Sequence, residues 1–243
     1  MNKVINSFYI KIGFGLFFLI NSFNSYAQDS ALNKYGLQVI SSYTIYLSTV
    51  RKDWRKEMVD LKQLVPGLVV DLRYAGNNNF MKTRLYPSLK TTFLRKPAAI
   101  ALAAIQEDLK RKGLGLEIFD AYRPYSVTEK MWELIKDERY VADPKTGSGH
   151  NRGISVDLTI IDLQTKGPLN MGTEFDNFSD SAHHGFTGLP KEVLQNRLLL
   201  RNIMEKNGFK ALGTEWWHYS FSSGAAYELL DIGLDELRIA PSQ

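Results

Sequence analysis

From residue 97 onward, apolar positions fall into blocks with helical or strand spacing. Ile100, Ile105 and Leu109 are read as one face of a helix from Pro97 to Lys112, with proline in the first turn and Gly113 after the end. Ser126-Val-Thr-Glu129 has the form of a capping box and predicts a second helix through Ile135. A third is predicted from Pro190 to Lys206, with Gly208 just past its end. Strands are predicted at Leu116–Phe119, Ile154–Ile160 and Trp216–Phe221. In Ile154–Ile160 the alternation is strict: apolar residues point one way, and Ser155, Asp157 and Thr159 the other. Helices interleaved with short strands imply an α+β fold, a single domain with a small, mainly antiparallel sheet packed with several helices.

The first 27 residues have a different pattern. Lys3 and Lys11 are their only charges, and the apolar run from Ile12 to Phe23 is short of the ~20 residues a spanning helix needs. Ser25-Tyr26-Ala27 then supplies small residues at a cleavage site, so residues 1–27 read as a signal peptide. The expectation is an exported, periplasmic protein with no stable membrane span after cleavage. Residues 28–243 are expected to be one domain, with 28–55 a weakly patterned lead-in able to stand as an N-terminal arm.

Composition narrows the chemistry. At 243 residues, 44% hydrophobic and 23% charged, the chain can bury a core without covalent staples. It has no cysteine, which excludes disulfides, thiol catalysis and cysteine-based zinc sites. The 30 basic residues are spread among 26 acidic ones, so there is no clustered basic face for nucleic acid. There are four histidines: His150, His183, His184 and His218.

Two of them sit at the mouths of predicted strands. In Ser148-Gly-His150-Asn-Arg-Gly-Ile-Ser-Val-Asp157, a loop histidine precedes a strand whose polar face carries an aspartate. In Glu215-Trp-Trp-His218, a carboxylate lies three residues before an imidazole, where a bend can bring the two together. Two imidazoles and one carboxylate are a three-ligand set for catalytic zinc, with the fourth position open to water. A nearby glutamate can take a proton from that water and return it to a leaving amine. Asp120-Ala-Tyr-Arg123-Pro124 offers an arginine able to steady an oxyanion. Taken singly, these patterns also suit surface or hydrogen-bonded residues, and Arg123 suits a turn salt-bridged to Asp120. His183 and His184 point opposite ways on an extended segment, so at most one can face the site. Trp216 and Trp217 read as packing residues.

Asp120–Pro124, Ser148–Asp157 and Glu215–Tyr219 together resemble the VanX-like D-alanyl-D-alanine dipeptidases, a family of zinc metallopeptidases. Asp71-Leu-Arg-Tyr74-Ala-Gly-Asn-Asn-Asn-Phe80, Met171–Asp176 and His183-His184 extend the likeness over roughly residues 60 to 221. The resemblance implies one Zn2+ per chain, with His150, Asp157 and His218 as ligands. It makes Glu215 the catalytic base and Arg123 the stabiliser of the transition state. Asp176 and Tyr74 match positions expected to hold the substrate's ammonium, and Ser148 a polar position near the substrate, a small D,D-dipeptide. Val156 replaces a usual alanine and is expected to affect packing only. The signal peptide is a larger departure, because the resistance enzymes of this kind act in the cytoplasm. Two other readings share parts of the pattern: a peptidoglycan D,D-carboxypeptidase, and a non-catalytic wall-binding module that keeps zinc as a prop.

Overall fold

In chain order the strands are β1 (Val39–Ile40), β2 (Met58–Asp60), β3 (Val69–Val70), β4 (Phe93–Arg95), β5 (Leu114–Asp120), β6 (Ser155–Asp162), β7 (Phe209–Ala211), β8 (His218–Phe221) and β9 (Leu229–Leu230). The helices are α1 (Tyr43–Lys52), α2 (Leu61–Leu64), α3 (Lys96–Lys110), α4 (Tyr125–Leu134), α5 (Lys191–Lys206) and α6 (Leu234–Ile239). The computed structural model describes residues 32–222, 224 and 226–239. The predicted signal peptide lies outside them. No helix among the described residues is long and apolar enough to cross a membrane.

The main sheet has five strands in the order β3-β5-β6-β8-β7. Its β3–β5 pair is parallel and its other pairs antiparallel. Two two-stranded ladders flank it, β1 with β9 and β2 with β4. This is the α+β arrangement of small sheet and several helices that the pattern predicts. The core forms where α3 meets the sheet, with Leu102, Ile105 and Leu109 buried alongside Leu116, Ile118, Leu158 and Ile160. The lead-in packs onto the body: Val39 pairs with Leu229, and the buried Tyr46 hydroxyl accepts the Met58 N–H at 2.6 Å.

Three local expectations need correction. In α3 the buried stripe is Ala98, Leu102, Ile105 and Leu109, whereas Ile100 is 49% exposed. Five residues of helix separate Ile100 from Ile105 by about 140°, so the two cannot share a face. Helix α4 opens at Tyr125 behind Pro124, and the Ser126–Glu129 capping box does not form. Instead Asp231 reaches in from the C-terminal segment and accepts the Ser126 N–H at 2.9 Å and its hydroxyl at 2.7 Å. A carboxylate is the stronger acceptor and displaces the local cap, and Glu129 turns outward to Lys34 at 3.0 Å. The third correction is that β8 begins at His218 and not at Trp216. Trp216 gives its N–H to the Ala182 carbonyl instead of a strand partner.

Strand β6 shows why alternation alone does not give solvent exposure. Ser155, Asp157 and Thr159 occupy one face as predicted, yet all three are buried. Ser155 pairs with the Ser220 hydroxyl at 2.6 Å, and Asp157 lines a cavity on that face.

Candidate active site

Three strands bring chemistry into one row. Asp120 on β5 is the register partner of Asp157 on β6, which in turn pairs with His218 on β8. A bulge makes this possible: between Ile118 and Asp120 the β5 register advances two residues while β6 advances one. Without that extra residue, Asp120 would share the core face with Leu116 and Ile118; the bulge turns it beside Asp157. Val156 points to the opposite, fully buried side, as expected.

His150 arrives on the turn that precedes β6. Gly153 takes φ +70° there, and its N–H donates to the His150 carbonyl at 3.1 Å. His150 Nδ1 donates to the Ala121 carbonyl at 2.6 Å, which leaves Nε2 free to face the site. That Nε2 lies 3.2 Å from His218 Nδ1 and 3.4 Å from Asp157 Oδ2. His218 Nδ1 is 2.9 Å from Asp157 Oδ1. The three ligand atoms fall within 4.8 Å of one another, the spacing a single metal ion would bridge. Burial alone would raise the Asp157 carboxyl, but His150 and His218 outweigh it and hold it well below the usual carboxylate range.

Glu215 precedes β8 on a turn whose backbone N–H donates to the Leu212 carbonyl at 3.3 Å. This supplies the bend that Glu-x-x-His needs, and Glu215 Oε2 lies 3.7 Å from His218 Nδ1. Burial lifts the Glu215 carboxyl well above its ordinary range, and Asp157 and Asp176 add to the effect.

Arg123 leaves β5 through the Asp120–Pro124 turn. Its Nη2 and Nε donate to Asp120 Oδ2 at 2.8 and 3.0 Å, and Nη2 stands 3.9 Å from Asp157 Oδ2. Tyr86 gives its hydroxyl to the other Asp120 oxygen at 2.9 Å. Arg123 is thus both salt-bridged and beside the His150–Asp157–His218 group. The guanidinium also stacks over the Tyr74 ring at 5.2 Å.

Tyr74 donates its hydroxyl to both Asp176 oxygens, at 3.1 and 3.0 Å. Asp176 has φ +58°. Burial first, and then the charge of Asp157, push its carboxyl up to about 8. Ser148 Oγ accepts the His150 N–H at 3.2 Å.

All eight residues singled out in the sequence line one cavity of about 250 Å³: Tyr74, Arg123, Ser148, His150, Asp157, Asp176, Glu215 and His218. Trp217 is buried at its wall, whereas Trp216 packs behind and donates its indole N–H to Thr173 Oγ1 at 2.8 Å. Neither His183 nor His184 lines the cavity. His184 packs edge-on against Tyr219, and burial pulls its imidazole down to about 4.

The Peptidase_M15 profile, D-ala-D-ala dipeptidase, matches residues 55–231. The chain belongs to this family. It is similar to the D-alanyl-D-alanine dipeptidase of Escherichia coli K12, with 37% identity over 72% of this chain and 89% of that protein. Proteins of the same name from Enterococcus faecalis and Streptomyces coelicolor are 30% and 32% identical, each over 65% of this chain and 88% of its own length. A solved LD-carboxypeptidase, LdcB, aligns at 22% identity over 53% of this chain and 59% of its own, with a TM-score of 0.35. Family membership makes the chain an enzyme of the metallopeptidase type.

The arrangement around the cavity also depends on residues the motifs did not flag as functional. Ala121 contributes only a carbonyl, which no side-chain pattern can reveal. Buried Asn151 ties the site together: its amide donates to the Arg123 carbonyl at 2.9 Å and to Thr128 Oγ1 at 2.8 Å, while its Oδ1 accepts the Ser148 N–H. Tyr86 lies in a loop without periodicity, and nothing in its surroundings marked it.

Proposed function

We propose that the chain hydrolyses D-alanyl-D-alanine to two D-alanines, using one zinc ion held by His150, Asp157 and His218. Convergence of the eight residues on one small cavity carries this reading. The donor set fits zinc: two imidazole nitrogens and a carboxylate oxygen converge, and the His150 ring is oriented by a backbone carbonyl behind it. Such an ion supplies a Lewis acid that polarises a carbonyl and acidifies water.

The chain's own residues supply the remaining steps. Asp176, with Tyr74, receives the substrate ammonium, and Ser148 lies near the bound dipeptide. Glu215 takes a proton from the attacking water and delivers it to the departing amine; its raised affinity for protons suits that exchange. Arg123, fixed by Asp120, stabilises the oxyanion that develops on the scissile carbonyl. A cavity of about 250 Å³ lies below the ~300 Å³ at which pockets for drug-sized ligands begin, which favours a dipeptide. With the signal-like residues 1–27, the reading extends to an exported enzyme that recovers D-alanine from cell-wall dipeptide in the periplasm.

The test is release of D-alanine by purified residues 28–243, with and without zinc, from D-Ala-D-Ala, N-acetyl-D-Ala-D-Ala and a stem pentapeptide. Zinc-dependent cleavage of the free dipeptide alone is expected. Cleavage of the longer substrates would instead make the chain a carboxypeptidase, and silence on all three with zinc bound would make it a binding module.

A further inference from the structure

The cavity is also lined by a segment the catalytic account does not use, Glu138 to Ala142. Residues 137–141 form a turn in which the Tyr140 and Val141 N–H groups both donate to the Asp137 carbonyl. Val141 is buried and fixes one side of the turn. Thr214, the neighbour of Glu215, donates its hydroxyl to the Arg139 carbonyl at 3.3 Å. On the other side, the Tyr140 ring stacks on Phe178 with centroids 4.7 Å apart and planes at 28°. The segment is therefore tied down at both flanks, next to the proposed base and next to the proposed ammonium anchor.

The stack continues toward that anchor. Phe178 meets Phe80 at 5.3 Å, and Phe80 meets Tyr74 at 6.1 Å, both edge-on. Tyr74 is the residue hydrogen-bonded to Asp176, and Phe178 follows Asp176 by two positions. Phe80 and Tyr140 line the cavity, whereas Phe178 stands behind them and touches both. A peptide extended at its N-terminus adds atoms at the ammonium position, beside Tyr74 and the cavity-lining Phe80 packed against it.

We propose that the Tyr140–Phe178–Phe80 aromatic wall determines substrate length, excluding peptides that extend beyond the ammonium subsite, with Phe178 positioning Tyr140. This rests on the dipeptidase reading. It adds a steric barrier to the cost of leaving the Asp176 carboxylate unpaired against an acylated amine. The two are separable because the ring partners of Phe178 are Phe80 and Tyr140 and Phe178 does not line the cavity. Stacked and edge-on ring pairs each favour a defined relative orientation, so one ring removed from the middle loosens both neighbours.

Phe178→Ala and Phe178→Tyr test it, with zinc-loaded protein and two substrates, D-Ala-D-Ala and N-acetyl-D-Ala-D-Ala. The readout is the ratio of kcat/KM for the capped over the free dipeptide. It is expected to rise about tenfold or more in Phe178→Ala, the scale on which a pocket discriminates small steric differences, and to stay at the wild-type value in Phe178→Tyr. An unchanged ratio in Phe178→Ala, with the free dipeptide still cleaved, overturns the wall and leaves the dipeptidase reading intact. Failure of the wild-type chain to cleave D-Ala-D-Ala overturns both. If Phe178→Ala does not fold, Tyr140→Ser opens the same wall from the 137–141 turn, and an unchanged ratio there overturns the proposal equally.

Discussion

Tyr74 and Asp176, 102 positions apart, meet in a hydrogen bond in which the phenol donates to the carboxyl at 3.0 Å. Asp176 takes a left-handed backbone, φ +58°, to make it. Such strain in a residue other than glycine persists where surrounding structure imposes it and is concentrated at functional sites. The pair leaves a carboxyl facing the cavity that forms no salt bridge among the described residues, the arrangement an incoming ammonium completes.

Replacing that carboxyl therefore discriminates between substrates. Asp176→Asn is expected to lower kcat/KM for D-Ala-D-Ala by an amount equivalent to about 2–5 kcal/mol, the usual loss when one side of a buried charge pair is removed. Turnover of N-acetyl-D-Ala-D-Ala, which has no ammonium and would leave the carboxylate unpaired, should not fall and should rise if anything. Steady-state kinetics on both substrates check this, and equal losses would show that Asp176 does not contact the ammonium.

The same residue sets a pH dependence of stability in the metal-free, substrate-free protein. Its folded pKa is raised from 3.8 to about 8, chiefly by burial and then by Asp157. Between these values the folded state binds the extra proton, so this group's contribution to stability falls as pH rises from about 4 to 8. Asp176→Asn lacks that loss. Thermal melts at intervals from pH 5 to 8.5 should show the variant gaining on the wild type as pH rises; parallel curves would contradict the assignment.

Asp120→Ala leaves the Arg123 guanidinium buried without its carboxylate. Removing one partner of a buried ion pair costs about 3–5 kcal/mol, and the urea midpoint should fall accordingly. Tyr86→Phe removes only one hydrogen bond to Asp120 and should cost about 1–3 kcal/mol. Equal stabilities for Asp120→Ala and wild type would mean that Arg123 finds another partner.

Gly149 has no room for a side chain. A Cβ there would overlap Ser155 Oγ and come within 3.4 Å of Ser220 Oγ, breaking a hydroxyl pair held at 2.6 Å. Because Gly149 directly precedes His150, Gly149→Ala should displace that ligand. Zinc affinity, read by competition with a chromophoric chelator, is expected to fall about 10–100-fold, as for other disturbances behind a metal ligand. Unchanged affinity would separate the turn from the metal set.

How much of this the sequence revealed depends on which atoms do the work. His150, Asp157, His218 and Glu215 were legible because side-chain chemistry marks them and their spacing survives folding. The bulge at Ile118–Asp120 was not: alternation read straight through would have sent Asp120 into the core, and only the register with β6 shows the reversal. Asp231 as the cap of α4 was hidden too, since it lies 105 residues from Ser126 while a local serine satisfied the capping pattern. Ile100 was misread because apolar identity was weighed above angle. The general rule is that local periodicity located the elements, whereas partners distant in sequence decided how their ends and polar faces are satisfied.

The central claim is that Glu215 moves the proton while His150, Asp157 and His218 hold the metal. Measuring zinc content and D-alanine release together, on wild type and Glu215→Gln, addresses it most directly. The account predicts one zinc per chain in both proteins, with release from D-Ala-D-Ala lowered on the order of 10²–10⁴-fold in the variant. Loss of zinc from Glu215→Gln, or turnover near the wild-type rate with zinc in place, would contradict it.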